Sequence, residues 1–363
     1  MTRNRALNIA ANICCFVLAV VFLFSGFVKS VDPWGTAIKV NEYLHSFGWD
    51  WAAGYHFGLA ILLCGAELML GAMMLLRVFR PLVSLLTLLA MSGFTLVTFY
   101  IAFWGTVEDC GCFGDAIKLT NLETFYKNLA LWPMSALVWY TLRQEPLLRL
   151  SKSDIIKTIA IACVSFGVGT YCYLHLPIID FLPYREGVNL RSEVMGSEGE
   201  VKAVFVCRNL QSGEVREFGE ADTTWYDSSV WEFVESREVS SQTRNLSLAE
   251  FEIFDAEGSY TDNILGYEGR THLICILKLA DITNDCRERL TTFTKRAIKQ
   301  GEQVVVITAD NIDNLPHFDQ LGHTLPIYNM DATTLITMLR AKTGVVTLNN
   351  GIIEQKSNCR DVR

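Results

Sequence analysis

Residues 7–31 read LNIAANICCFVLAVVFLFSGFVKSV, and their one charged side chain, Lys29, stands near the far end. A helix of this length exceeds the roughly 30 Å of a bilayer's hydrocarbon core, so the stretch reads as a membrane span. Arg3 and Arg5 precede it as they would in a signal peptide, but the apolar run is long and has no obvious small-residue cleavage site. It therefore reads as a retained helix.

Working outward, comparable stretches at 52–76, 81–104, 124–142 and 155–176 predict an α-helical multi-spanning membrane bundle of four to five helices. The 124–142 stretch is the weakest, because Lys127, Asn128 and Pro133 lie within it. Composition agrees: half of the 363 residues are apolar, 19% are charged and mean hydropathy is +0.25, too apolar for a wholly soluble protein. A net charge of −8 argues against a nucleic-acid partner, which leaves membrane lipid as the first partner.

Arg3, Arg5, Arg77, Arg80, Arg143, Arg149, Lys152 and Lys157 fall in loops on one side with few acids, which marks that side as cytoplasmic. Five crossings starting inside then leave everything after Leu176 outside, in the periplasm of a bacterial inner membrane. Trp34, Trp49, Trp51, Tyr55, Trp104 and Tyr171 supply an aromatic belt for that outer boundary.

From about Arg185 the composition is that of an acidic soluble domain, with 28 acids against 19 bases. The chain divides into a four-helix membrane part at 1–150, a fifth helix and linker at 151–184, a hairpin-containing connection at 185–247 and an α/β domain at 248–363. Residues 201–218 alternate around Ser212 and Gly213 as a hairpin does. Beyond Leu248, strands are expected at 271–279, 303–308, 325–329, 345–349 and 352–355, with helices at 285–300 and 331–342 opening on Asp285 and Asp331. Asn349-Asn350-Gly351 marks a terminal hairpin. This order is the thioredoxin plan.

The most informative chemistry is Asp109-Cys110-Gly111-Cys112-Phe113-Gly114-Asp115, assigned to the outer loop after the third span, where disulfides persist. A C-x-C disulfide closes a very small ring, and Gly111 supplies the backbone freedom it needs. Cys110 and Cys112 are the candidate redox pair. Glu108, Asp109 and Asp115 disfavour a thiolate there, so the pair looks better suited to being attacked than to attacking. Unreactive loop thiols are the plain alternative. A metal site would have to add His45, His56 or His175 at arbitrary spacing, so no metal is expected.

Glu67, near the centre of the second span, is costly in hydrocarbon, and either proton or quinone handling or a helix–helix hydrogen bond accounts for it. No cofactor is evident in the residues, and a quinone is the one that such a site would use. Lys29 is expected to snorkel to the outer interface and Asn128 to bond a neighbouring helix backbone. Cys172 lies closest to the outer face among the membrane cysteines, either as a second relay thiol or as a small residue in a helix interface.

In the tail, Cys286 is expected at a helix N-terminus, but no second cysteine accompanies it as C-x-x-C. Cys207 and Cys275 read as core residues. Cys359 becomes a partner for Cys286 only if the fold brings their Cα atoms within about 7 Å.

These residues carry a resemblance. Ser25-Gly26-Phe27-Val28-Lys29 with Asp32-Pro33, Glu67 with Gly71, Cys110-Gly111-Cys112-Phe113-Gly114 and Asn128 resemble the DoxX-like superfamily, and within it the MauE family of methylamine-utilisation membrane proteins. The CGCFG element is the specific one. The resemblance implies a membrane protein assisting disulfide formation or the maturation of a periplasmic redox enzyme. The remainder resembles the thioredoxin-like tail of a bacterial subgroup, with Leu176-Pro177-Ile178-Ile179-Asp180-Phe181 and Pro183-Tyr184 as its lead-in. It lacks C-x-x-C and has Thr343-Gly344-Val345 where active thioredoxins place a cis-proline, so a partner-binding tail is expected. Two functions follow: a membrane thiol–disulfide oxidoreductase acting on a periplasmic client through Cys110 and Cys112, or a non-catalytic scaffold whose tail binds that client.

Overall fold

The computed structural model describes the chain except residues 1, 105–106, 108–109, 149, 196–201, 211–213, 220–221, 223–226, 228, 240–247, 249–250, 313–316 and 363. The long apolar stretches form helices, as their length and composition require. α1 (Thr2–Val31), α3 (His56–Leu75), α4 (Arg80–Trp104), α5 (Asn121–Leu142) and α6 (Lys152–Leu174) form the bundle, and α2 (Pro33–Ser46) is a short helix after α1. Four of them, α1, α3, α4 and α6, are long and apolar enough to cross a membrane, so the chain is a multi-pass membrane protein. α5 occupies the 124–142 stretch with 22 residues, and the polar residues that weaken it in sequence keep it below that level of apolarity.

Asp32 ends α1 and caps α2, accepting the Gly35 N–H at 2.9 Å, with Pro33 in the first turn where its missing N–H costs nothing. α5 opens on a capping box in which Thr120 and Glu123 serve each other's backbone N–H. α1 and α3 pack closely because Gly26 and Gly71 face the partner helix: a Cβ on Gly26 would lie 2.4 Å from Leu68 N, and one on Gly71 2.6 Å from Leu23 N. Asn128 Nδ2 donates to Thr98 Oγ1 at 3.2 Å and lies 3.5 Å from the Phe94 carbonyl, the helix–helix role expected of it.

A small cavity of about 100 Å³ gathers Asn12, Cys15, Arg77, Arg80 and Thr141 at one end of the bundle. At the other end lie the α1–α2 junction, the Cys110–Cys112 loop, the C-terminus of α6 and the tail, joined by His175 with Asp361, Lys356 with Asp180, and Arg340 with Asp32 and Asp115.

The tail follows α7 (Leu190–Val194). β1 (Lys202–Asn209), β2 (Val215–Gly219) and β3 (Trp231–Val239) form an antiparallel sheet ordered β2-β1-β3, which gives the expected hairpin strands a third partner. The expected turn at Ser212 and Gly213 lies outside the described residues.

α8 (Thr261–Leu265), β4 (Arg270–Ile276), α9 (Asn284–Lys299), β5 (Gln303–Thr308), β6 (His317–Phe318), β7 (Leu325–Asn329), α10 (Ala332–Leu339), β8 (Thr343–Asn349) and β9 (Ile352–Asn358) complete the chain. The six-stranded sheet runs β6-β7-β5-β4-β8-β9, with β7, β5 and β4 parallel and β8 antiparallel to β4. Buried on both faces, β4 and β5 carry the continuous apolar runs Leu273–Ile276 and Val304–Ile307.

Several expected boundaries move. β4 stops at Ile276 rather than 279. α9 is capped by Thr283, not opened by Asp285, since the Thr283 hydroxyl accepts the Cys286 N–H. α10 is capped by Asp331 but ends at Leu339, because Arg340 takes a left-handed conformation with φ 53°. The terminal hairpin turns through Asn350 and Gly351, both at positive φ as a two-residue turn requires. Tyr184, in the lead-in to the tail, is buried in the tail's core beside Leu190 and Phe251.

Candidate functional site

Ser25 and Lys29 stand four residues apart and so share one face of α1, the face that close packing at Gly26 presses against α3. There they meet Glu67. Lys29 Nζ lies 2.7 and 3.0 Å from the two carboxylate oxygens, and Ser25 Oγ lies 2.7 Å from Oε2. All three are buried, at 8, 7 and 3% exposure for Ser25, Lys29 and Glu67. The expected snorkelling of Lys29 is therefore corrected: an opposite charge at contact distance holds the ammonium inside the protein.

The Cys110–Cys112 loop closes over this group. Ser25 Oγ also lies 2.8 Å from the Cys112 carbonyl oxygen, while the Tyr43 hydroxyl donates to the Cys110 carbonyl. A serine hydroxyl carries one hydrogen, so it can bond fully to either Glu67 or the Cys112 carbonyl at one time. Ser25 thus stands within hydrogen-bond reach of both the intramembrane carboxylate and the thiol loop. Gly111 turns the loop with φ 58°, and a Cβ there would lie 3.0 Å from Lys39 Cγ.

The sulfurs of Cys110 and Cys112 are 2.8 Å apart, so the pair needs little movement to pass between two thiols and a disulfide. The hydrogen bond between them separates their acidities. With Cys110 as the donor, that bond is the main cause that lowers Cys112 to about 6, with the Lys29 and Lys127 ammonium groups adding to it against burial and Glu67. The same bond, with burial, pushes the Cys110 thiol upward. For Cys112 this runs against the effect expected of the neighbouring acids, of which Asp115 alone is described. Asp115 is engaged by Arg340, Lys127 lies over the Phe113 ring at 4.2 Å, and Glu108 and Asp109 lie outside the described residues.

Sequence reasoning singled out Glu67, Cys110 and Cys112, and the structure brings all three together. Cys172 is fully buried near the C-terminus of α6 and forms no hydrogen bond with that pair among the described residues. His45 pairs with Asp50, His175 with Asp361, and His56 Nδ1 lies against the Ala53 carbonyl. Among the described residues, no group of three or more His, Cys, Asp or Glu side chains is placed to hold a metal ion. Tyr43 and Lys127 went unnoticed as site residues, as did Arg340. The Ser25–Lys29 spacing was the one signal available, because the others reach the site from distant segments.

The Cys286–Cys359 question has a definite answer. Their Cα atoms are 5.5 Å apart and the two residues form a disulfide, 73 residues apart in sequence. Cys207 and Cys275 are fully buried, as expected of core residues.

No curated protein matches this chain, and no solved structure matches it. Residues 7–141, the part that carries Ser25, Lys29, Glu67, Cys110 and Cys112, match the family model described as Methylamine utilisation protein MauE.

Proposed function

We propose that this protein is a bacterial inner-membrane thiol–disulfide oxidoreductase working through Cys110 and Cys112 at the periplasmic face. The observation that carries the proposal is the position of the two sulfurs, 2.8 Å apart over the buried Ser25–Lys29–Glu67 group. A lowered thiol beside a raised one suits exchange, because one sulfur attacks or leaves as thiolate while the other holds its proton.

In this reading a client protein's dithiol reduces the Cys110–Cys112 disulfide and leaves with a disulfide of its own. The two electrons and two protons pass to a quinone of the bilayer. Glu67, held beside the loop through Ser25, is then the group that takes up the protons and passes them on. The family description points to methylamine utilisation as the process in which such a client matures.

α5 serves as a fifth crossing, which places the N-terminus in the cytoplasm and the tail with the thiol loop in the periplasm. Its antiparallel packing along α4, through Asn128 with Thr98 and Trp132 with Ser92, supports that topology. The order β9-β8-β4-β5 with β8 antiparallel supports a thioredoxin-like tail, and the disulfide within it suits an oxidising compartment.

The test is alkylation of thiols in intact cells after an acid quench. A Cys110–Cys112 pair that is oxidised in a fraction of the molecules, and becomes fully reduced when quinone is depleted, is the expected result. A pair never found oxidised would refute the proposal.

A further inference from the structure

The tail meets the bundle across a cleft of about 550 Å³. Trp34 of α2 and Tyr173 of α6 line its bundle side, and Lys342, Thr343, Cys286 and Cys359 line its tail side. The Cys286–Cys359 disulfide therefore does more than tie the end of the chain to α9: it forms part of the wall of an open space between two domains.

Three features bear on what that wall can do, although Cys286 and Cys359 are only 8 and 4% exposed. Cys286 is the third residue of α9, so its sulfur sits at the positive end of a 16-residue helix, where a thiolate is stabilised and leaves more readily. The two acids that line the cleft are occupied, Asp285 by Arg289 at 3.3 Å and Asp281 by Lys342 at 3.5 Å. Trp34 Nε1 and Thr343 Oγ1, on opposite sides of the cleft, are buried without a hydrogen-bond partner among the described residues, at 4 and 5% exposure of their residues. An unpaired donor and hydroxyl beside a disulfide suit the backbone of an incoming polypeptide.

We infer that Cys286–Cys359 is a second thiol–disulfide exchange site, which accepts a cysteine-bearing extended polypeptide segment in the cleft between bundle and tail. A thiolate of that segment attacks Cys359 Sγ. The Cys286–Cys359 bond breaks, a mixed disulfide forms on Cys359, and the electron pair leaves on Cys286, which takes up a proton. The segment's second thiolate then attacks its own sulfur in the mixed disulfide and releases Cys359 as a thiolate, which is protonated in turn. The client dithiol loses two electrons and two protons, and Cys286 and Cys359 gain them. The tail thereby acquires chemistry that its missing C-x-x-C denied it, because the fold supplies the second sulfur from the end of β9.

The inference stands apart from the Cys110–Cys112 reading, and its test keeps the two separate. The full chain in nanodiscs is incubated with a synthetic extended peptide carrying two cysteines, and the state of Cys286 and Cys359 is read by differential alkylation and peptide mapping. Reduction of the disulfide in the folded protein is expected, at the same rate in the Cys110→Ser/Cys112→Ser protein. Lys342→Glu brings a carboxylate to the cleft and should slow it about tenfold. The oxidised peptide should trap on Cys286→Ser as a mixed disulfide at Cys359. A disulfide that stays intact until denaturant is added, in wild type and Lys342→Glu alike, would overturn the inference even if Cys286→Ser fails to fold.

Discussion

Arg340 Nη2 lies 2.9 Å from the Asp115 carboxylate, a contact across 225 residues of sequence that ties the tail to the loop carrying Cys110 and Cys112. The same nitrogen lies 3.0 Å from Asp32 Oδ2, so one guanidinium holds the α1–α2 junction, the thiol loop and the end of α10 together. Arg340 is 4% exposed and pays for its place with a left-handed backbone that few non-glycine residues adopt.

Replacing Arg340 by Gln should leave two carboxylates facing each other without a counter-charge, at a cost of about 3 kcal/mol to the docked state. Hydrogen exchange in residues 110–120 should then speed up in the full-length protein. Unchanged exchange in that loop would show that the tail does not restrain it.

The Lys29–Glu67 pair predicts an asymmetry between single and double substitutions. Glu67→Gln strands a buried ammonium and should destabilise the bundle by about 3 kcal/mol, whereas Lys29→Met with Glu67→Leu should recover most of that loss. Unfolding in detergent measures both. Additive costs in the double variant would mean that the two charges are not coupled.

The acidity of Cys112 sets a pH window. Its thiolate is present above about 6 and is lost as the pH falls through that value, so its alkylation rate should reach half its plateau near pH 6. An ordinary thiol reaches that point near about 8.5. Cys110→Ala removes the main cause of the shift and Lys127→Met a smaller one, so both should move the midpoint upward, the first further. A wild-type midpoint near that of an ordinary thiol would contradict the geometry.

Gly26 tests the packing on which the site depends. Gly26→Leu places side-chain atoms against the Leu68 backbone and must separate α1 from α3, at about 1–3 kcal/mol. Because Ser25 and Lys29 flank that contact, the variant should also slow Cys110–Cys112 oxidation in cells. Wild-type oxidation in a destabilised Gly26→Leu protein would uncouple the loop from the helix contact.

The long apolar stretches, the break near residue 176, the change to an acidic α/β tail and the CGC element were legible in the sequence, because each rests on short-range properties. Bilayer-length hydrophobicity, proline at a helix end and strand–helix alternation need no knowledge of distant contacts. Glu67 was legible too, since a carboxylate inside a span is costly wherever the chain goes. Its partners were not. Lys29 looks like a snorkelling lysine until α1 and α3 close at Gly26 and Gly71, and then the attraction of opposite charges exceeds the pull of water. Cys112 looks surrounded by acids until the fold engages Asp115 with Arg340 and brings Lys29 and Lys127 to bear. Cys286 looks solitary until β9 returns Cys359 to the start of α9. In each case the deciding charge or sulfur comes from a segment tens to hundreds of residues away. Local sequence determined which groups were present, and only the tertiary structure decided which of them meet.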